Sequence, residues 1–210
     1  MKRSPIFHVK PRIARTCLLS LALALPVVSQ AATVVEVEGN DLASTAQFIS
    51  PFSFTLENVN EITLSTVLTH ASISGSGDGT VDWYAFTHGG GSIVLDIDGG
   101  MPNFDLELGI WDIQGHLIAS NDDGELLDAG SMVTFGEFDP FINISSAPSG
   151  LYYIGVSSFP SAQLANFNAG GGGFTGPGYQ LNISVGQVPE PTSAVFALLS
   201  CLTLSLRRKR

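Results

Sequence analysis

Short stretches in which apolar and polar residues alternate run through the middle of the chain, separated by clusters of Gly, Asp, Asn, Ser and Pro. A period of two residues is typical of strands that bury one face, and closely spaced turn clusters are typical of all-β sandwiches and barrels. No amphipathic helix of useful length interrupts the pattern. The pattern predicts strands at Phe52–Leu56, Ile62–Leu68, Val81–Thr87, Ser92–Ile97, Leu106–Trp111, Leu117–Ser120, Phe141–Ser145, Leu151–Val156 and Tyr179–Val185.

The same alternation assigns side chains to the two faces of a strand. In the run 81–86, Asp82, Tyr84 and Phe86 share one face and Trp83 takes the other. In the run 151–156, Tyr152, Ile154 and Val156 likewise point one way. A body of about 156 residues is one domain and can bury a sizeable core without disulfides. We therefore expect a single all-β domain at residues 32–187.

Charge is distributed very unevenly along the chain. All nine Lys and Arg residues lie in the terminal segments, before Thr16 or after Leu206. Of the nineteen acidic residues, all but Glu190 lie in the body, which contains no Lys or Arg and has a formal charge of −18. Nucleic acid is excluded as a partner on this basis, because phosphate contacts need basic side chains. The carboxylates must be screened by salt or offset by bound cations, and we favour a metal for part of them.

The N-terminal segment, residues 1–31, has the organisation of a secretory signal peptide. Basic residues precede an apolar run from Cys17 to Leu25, and small residues surround Ala31, after which we expect cleavage. An uncleaved membrane anchor is the alternative, and export follows from either. The second cysteine, Cys201, lies in the C-terminal apolar segment, so the body has no thiol for a disulfide or for nucleophilic catalysis.

The C-terminal segment, residues 188–210, has three parts in a fixed order: Pro189, Glu190 and Pro191, then the apolar run 194–206, then four basic residues. This order resembles the PEP-CTERM sorting signal. The resemblance implies a short hydrophobic helix in the membrane before processing and recognition by an exosortase. It further implies a Gram-negative host that makes exopolysaccharide, and delivery to the outer surface or the extracellular matrix. A plain tail anchor is the alternative.

The body carries an ordered series of motifs: Glu36-x-Glu38-x-Asn40-Asp41, Ala46-Gln47, Gly77-Asp78-Gly79-Thr80-Val81-Asp82-Trp83-Tyr84-x-Phe86, Leu106-x-Leu108-x-Ile110-Trp111-Asp112-x-x-Gly115, Asn121-Asp122-Asp123-Gly124, Pro148-x-Gly150-x-Tyr152-Tyr153-x-Gly155-Val156 and Tyr179-x-Leu181. In this order they resemble the bacterial pre-peptidase C-terminal domain, similar to the collagen-binding domains of clostridial collagenases. The resemblance implies a single jelly-roll-like antiparallel β-sandwich, an accessory or binding role, and calcium at the N-terminal segment.

Calcium takes six to eight oxygen ligands, so it needs carboxylates and amides that converge from several segments. In an extended segment, alternate residues from position 36 to 40 project to one side. The collagenase-like domains join this acidic segment to aspartates just before the Asp-Trp-Tyr strand. The candidate calcium ligands are therefore Glu36, Glu38, Asn40, Asp41, Asp78 and Asp82. A solvated acidic face without metal is the alternative.

For catalysis the body offers few candidates. Its three histidines, His70, His88 and His116, have no metalloprotease or serine-hydrolase motif around them, and we expect each in an exposed loop. We therefore expect a non-catalytic, calcium-binding surface or matrix protein that acts in adhesion, biofilm or exopolysaccharide association. The alternatives are a secreted hydrolase and a carbohydrate- or protein-binding module, whose binding surface would need exposed aromatic residues such as Trp111 or Phe174.

Overall fold

In the computed structural model, the described residues are 33–59, 62, 64–98, 105–124, 139–160, 166–168 and 173–186. They form ten strands and two short 3₁₀ turns, the turns at Ala43–Thr45 and Pro51–Ser53. The strands are β1 Val34–Val35, β2 Gln47–Ile49, β3 Thr69–Asp78, β4 Asp82–His88, β5 Gly91–Asp98, β6 Leu106–Asp112, β7 Leu117–Asn121, β8 Phe141–Ala147, β9 Gly150–Ser158 and β10 Thr175–Val185.

The strands form two five-stranded sheets, with the order β1-β3-β10-β5-β8 in the first sheet and β2-β4-β9-β6-β7 in the second. Pairing is antiparallel except at one edge of each sheet, where β1 pairs with β3 and β2 pairs with β4 in parallel. Consecutive strands alternate between the sheets at every step but one, the β6–β7 hairpin. The predicted all-β sandwich is confirmed.

The main core lies between the two sheets and is built from their inward-facing apolar residues. Tyr84 and Phe86 of β4, Ile154 of β9 and Leu181 of β10 are all buried there. Trp83 faces away from this core and belongs to a second, smaller cluster on the outer face of the second sheet. The predicted assignment of alternate β4 residues to opposite faces is therefore confirmed, and so is that of β9.

Two predicted strands are wrong. The segment 51–53 is a 3₁₀ turn, because Pro51 fixes the first turn and the Ser50 hydroxyl accepts a hydrogen bond from Phe52 N, which leaves only an isolated bridge between Thr55 and His70. The described residues of the segment 62–68 form turns, with Leu64 at a φ of 57°. The apolar residues of these two segments are spaced as in a strand, although the segments do not pair as strands.

The strand that replaces them, β3, was not predicted because its sequence is rich in Ser and Gly. Gly75 and Gly77 face the core, where a Cβ would lie 2.5 Å from the Tyr179 ring and 2.2 Å from Phe174 O. The missing side chains make room for these aromatic residues, so the apolar alternation that starts at Ala71 and Ile73 does not continue through the strand. The edge strands β1 and β2 were also not predicted, being only two and three residues long.

The prediction of exposed loop histidines holds for one of the three. His116 lies exposed in the β6–β7 turn. His70 and His88 are instead fully buried, within β3 and β4.

The predicted signal peptide and sorting segment, including Pro189, Glu190 and Pro191, lie outside the described residues, as do the predicted domain boundaries. Within the described part of the chain, no helix combines the length and apolar character of a membrane span.

Candidate metal centre

Two connections between the sheets lie side by side. The segment 36–46 joins β1 in the first sheet to β2 in the second, and the segment 79–81 joins β3 to β4. The first connection contacts both the second connection and the start of β4: Thr80 Oγ1 lies 3.0 Å from Asp41 Oδ1, and Trp83 N donates to Asn40 O at 2.9 Å. The acidic segment and the aspartates before the Asp-Trp-Tyr strand therefore meet at one place.

Three carboxylates converge at this crossing. One oxygen from each of Glu38, Asp41 and Asp78 lies within 4.8 Å of the other two. Glu38 and Asp78 are exposed and Asp41 is half-buried, so a cation could reach all three from solvent. With metal–oxygen distances of about 2.3–2.6 Å, calcium could contact all three oxygens. Among the described residues, this is the only group of three acidic, His or Cys side chains with such spacing.

Local turn chemistry holds the cluster in place. Asp78 ends β3, and Gly79 turns the chain with a φ of 106°. Thr80 donates to Asp78 Oδ1 twice, from its backbone N at 2.9 Å and from its hydroxyl at 2.6 Å. These hydrogen bonds favour the ionised carboxylate and lower the pKa of Asp78. Asp78 is therefore already in the form that a metal ion requires.

Glu38 has the opposite electrostatic environment. Partial desolvation and the neighbouring charges of Glu36, Asp78 and Asp41 raise the pKa of Glu38. No Lys or Arg lies in the body to offset these charges. The carboxylates consequently repel one another, and a bound cation would relieve that repulsion.

Glu36 points into a different environment, between the two sheets. Its Oε1 accepts hydrogen bonds from Tyr84 OH at 2.6 Å and Asn40 Nδ2 at 3.1 Å, and its Oε2 accepts from Ser76 N at 2.7 Å. Glu36 therefore links β1 to β3 and β4, and it does not belong to the three-carboxylate group.

Asp82 is fully buried at the start of β4, where its Oδ2 accepts a hydrogen bond from Tyr179 OH at 2.8 Å. The Tyr179 hydroxyl also lies 2.6 Å from that of Tyr84, which continues the chain to Glu36. Burial, reinforced by the charge of Glu36, raises the pKa of Asp82 to about 8.

Two buried side-chain oxygens at this end of the sandwich have no hydrogen-bond partner. They are Asn40 Oδ1 and Asp82 Oδ1, and neither accepts a hydrogen bond in the described part of the chain. A buried polar atom without a partner is costly, and in a native structure it often marks an ion or water. The donor set consists of oxygens only, which fits a hard cation such as calcium.

The structure thus brings together three of the six predicted ligands, while Asn40 and Asp82 are buried and Glu36 is half-buried and hydrogen-bonded to Tyr84, Asn40 and Ser76. Thr80 was not predicted, although the sequence Asp78-Gly79-Thr80 is typical of a turn in which Asp accepts from the residue two positions later. Tyr179 had no local signal, because it reaches Asp82 from a strand 97 residues away.

Two observations bear on the alternative functions. Trp111 and Phe174, the aromatic residues expected to be exposed in a binding module, are both buried. The contact between Asp112 Oδ2 and His116 Nδ1, at 2.9 Å, lies in an exposed turn. Asp112 also accepts from the backbone N of Gln114 and of His116, so its contacts are those of a turn-forming residue.

No protein family model matches the chain. No characterised protein matches its sequence. Among solved structures, the pre-peptidase C-terminal domain of collagenase from Bacillus anthracis is similar at 14% identity, over 55% of this chain and 88% of that one, with a TM-score of 0.35. That domain bears the name of the family whose motifs the sequence resembles. At this TM-score the likeness carries no argument about function, and the fold assignment rests on the two sheets themselves.

Proposed function

We propose that this chain is an exported, non-catalytic surface or matrix protein whose β-sandwich binds calcium where the segments 36–46 and 79–81 cross between the sheets. The observation that carries the proposal is the convergence of Glu38, Asp41 and Asp78 within 4.8 Å. The body has no Lys or Arg to neutralise them, so a bound cation is the partner of opposite charge that we favour.

Calcium suits this site better than a softer or smaller ion. Three carboxylates supply the charge, and the unpartnered oxygens of Asn40 and Asp82 would supply neutral or further acidic ligands as the site closes. Magnesium demands near-ideal octahedral geometry, whereas calcium tolerates irregularly placed ligands from two separate connections and fills its remaining positions with water.

Calcium binding would hold two segments of the chain together at one end of the sandwich. Asp41 belongs to the connection between β1 and β2, while Asp78 ends β3. An ion held by both would tie these connections together and remove the repulsion between them. Because the unfolded chain lacks such a site, binding would raise the free energy of unfolding by mass action. The domain would then be most stable outside the cell, where calcium is abundant.

The proposed location rests on the two terminal segments. Export is inferred from residues 1–31, and sorting by an exosortase from residues 188–210 with Pro189, Glu190 and Pro191. We infer association with exopolysaccharide or other matrix components, in adhesion or biofilm structure. Replacing Glu190 by Ala should leave the protein in the membrane fraction if the motif is recognised. Unchanged release to the surface would contradict sorting by this motif.

The test of the calcium site is calorimetric titration of the purified full-length chain with calcium. We expect saturable binding that is lost in the double variant Glu38→Gln, Asp78→Asn. The matched control is Asp122→Asn, Asp123→Asn, which removes two exposed or half-exposed carboxylates from another turn and should bind like the wild type. Equal melting temperatures in excess calcium and in chelator would refute the proposal.

A further inference from the structure

The directions of the strands define two ends of the sandwich. β3 ends at Asp78 and β4 begins at Asp82, so the three converging carboxylates lie at one end, which we call the carboxylate end. β4 ends at His88 and β5 begins at Gly91, so their connection lies at the opposite end, which we call the distal end. The pairing of the other strands places their connections at one end or the other.

Both terminal segments of the chain join the sandwich at the distal end. β3 starts there because it finishes at the carboxylate end, and β1 is parallel to β3, so the chain enters β1 at Val34 from the distal side. β10 is antiparallel to β3, so it finishes at the distal end with Val185. The two apolar runs of the sequence, 17–25 and 194–206, are therefore both attached to this end.

The connection from β2 to β3 crosses the distal end and directs one aromatic ring inward and another outward. β2 is parallel to β4, so the chain leaves it at the distal end and reaches the first sheet at the bridge between Thr55 and His70. Phe54 packs against Phe86 of the main core, with ring centroids 6.3 Å apart. Phe52 is instead 75% exposed, so its ring is not used to close the core.

Three more apolar side chains of this connection face solvent. Leu56, Leu64 and Val67 are each more than half exposed. The backbone N groups of Val67 and Leu68 donate to Leu64 O at 2.7 and 2.8 Å, which fixes the turn, and Leu68 is the residue that is buried. Contiguous exposed apolar groups commonly mark a surface that contacts a protein or a membrane.

Acidic residues are concentrated away from this surface. Of the fourteen acidic residues that the structure describes, twelve lie in the half of the sandwich nearest the carboxylate end. Among those described, only Glu57 and Asp112 lie in the distal half. Because a charged side chain is costly in contact with hydrocarbon, the distal end is the one that can approach a bilayer.

The length of the chain after β10 limits how far the distal end can lie from a membrane. Seven residues, 187–193, separate Gly186 from the apolar run 194–206. At about 3.3–3.6 Å per extended residue they span at most about 25 Å. If the apolar run occupies the membrane, as proposed above, the distal end is held next to the headgroup layer.

We propose that Phe52, Leu56, Leu64 and Val67 form a membrane-contacting surface that seats the distal end of the sandwich on the lipid bilayer. This inference rests on the proposed membrane segment at residues 194–206, which holds the distal end close to the lipid. Apolar side chains that enter the boundary between headgroups and acyl chains are removed from water, and binding strengthens with the apolar area buried. The carboxylate end then points away from the membrane and is open to calcium.

The test is site-specific fluorescence of the full-length chain in phosphatidylcholine liposomes, with Cys17→Ser and Cys201→Ser in every protein. One protein carries Phe52→Cys and the matched control carries Phe159→Cys, each labelled with nitrobenzoxadiazole. Phe159 is also exposed, but it follows β9 at the carboxylate end. We expect nitroxide-labelled lipids to quench the label at position 52 and to leave the label at position 159 unquenched.

Two double variants of the protein labelled at position 52 test whether the other apolar side chains take part. Leu56→Ser with Val67→Ser should lose most of the quenching, because it removes half of the proposed surface. Val35→Ser with Val37→Ser, which removes two comparably exposed apolar residues from the β1 edge, should retain it. All four substitutions are at exposed positions, and circular dichroism verifies that each protein is folded.

Flotation of every protein with the liposomes separates the possible failures. Protein that floats without quenching at position 52, or with equal quenching at positions 52 and 159, would overturn this inference and leave the membrane segment standing. Protein that does not float would overturn both. A blue shift at position 52 that grows with the protein-to-lipid ratio, without quenching by lipid, would assign the surface to a second copy of the chain and also overturn the inference.

Discussion

Replacing Asp82 by Asn should stabilise the calcium-free protein at neutral pH, although it changes a fully buried residue with a hydrogen bond. The Asn carboxamide is nearly isosteric and its oxygen can still accept from Tyr179 OH, which lies 2.8 Å from Asp82 Oδ2. What the substitution removes is ionisation. Burial and the charge of Glu36 raise the pKa of Asp82 to about 8, so the charged form is disfavoured in the folded state.

The magnitude follows from linkage. In the unfolded chain an Asp titrates near pH 3.9, so folding takes up a proton at any pH between about 4 and about 8. The contribution of the neutral Asp82 carboxyl to the free energy of unfolding is fully present below about pH 4 and is lost as the pH rises to about 8. At about 1.36 kcal/mol per pH unit, the loss at pH 7 is of the order of 4 kcal/mol. The free energy of unfolding of Asp82→Asn should therefore exceed that of wild type by up to this amount.

The assay is urea unfolding followed by circular dichroism, for both proteins in chelator, at several values between pH 4.5 and pH 8. We expect the difference in free energy of unfolding between the two proteins to be small at pH 4.5 and to increase steadily up to pH 8. Asp112→Asn serves as the contrasting variant, because hydrogen bonds from His116 lower the pKa of Asp112. Removing the carboxylate of Asp112 should therefore not stabilise the protein at pH 7. Excess calcium should reduce the difference in free energy of unfolding between Asp82→Asn and wild type, since a nearby cation favours the ionised carboxylate of the wild type.

Parallel pH profiles for wild type and Asp82→Asn across this range would refute the reasoning. That result would mean that Asp82 is ionised in the folded protein at no cost, and the buried tyrosine–carboxylate chain would then need another source of compensating charge. A lower stability of Asp82→Asn at pH 7 would be equally contrary to the expected sign.

Two further changes test how the strands are fitted together. Gly109→Ala should lower the free energy of unfolding by about 1–3 kcal/mol and shift the tryptophan emission, because its Cβ would collide with the Trp111 ring; urea unfolding measures the first and fluorescence the second. Tyr84→Phe should cost about 1–3 kcal/mol by leaving Glu36 and the Tyr179 hydroxyl each short of a partner, and an unchanged melting temperature would show that the hydroxyl contributes nothing.

The class of the fold and the faces of its central strands could be predicted from local patterns in the sequence. Alternation of apolar and polar residues is a local property, and it survives in β4 and β9 because each of these strands buries one face in the main core. The acidic segment and the aspartates around the Gly79 turn were also recognisable. Turn chemistry depends on neighbouring residues, which the sequence shows directly.

Which strands pair and which acidic residues converge could not be predicted in this way, because both depend on contacts between distant parts of the chain. In β3 the core-facing positions include Gly75 and Gly77, whose small size is explained by aromatic rings from far along the chain. The position of Glu36 also depends on distant residues, since its carboxylate accepts hydrogen bonds from Tyr84 and from the Ser76 backbone and lies outside the carboxylate cluster. Phe167 shows the limit most clearly, since nothing in its local sequence indicates that it covers two tryptophans. Long-range register fixes these contacts, and one sequence read locally carries no information about register.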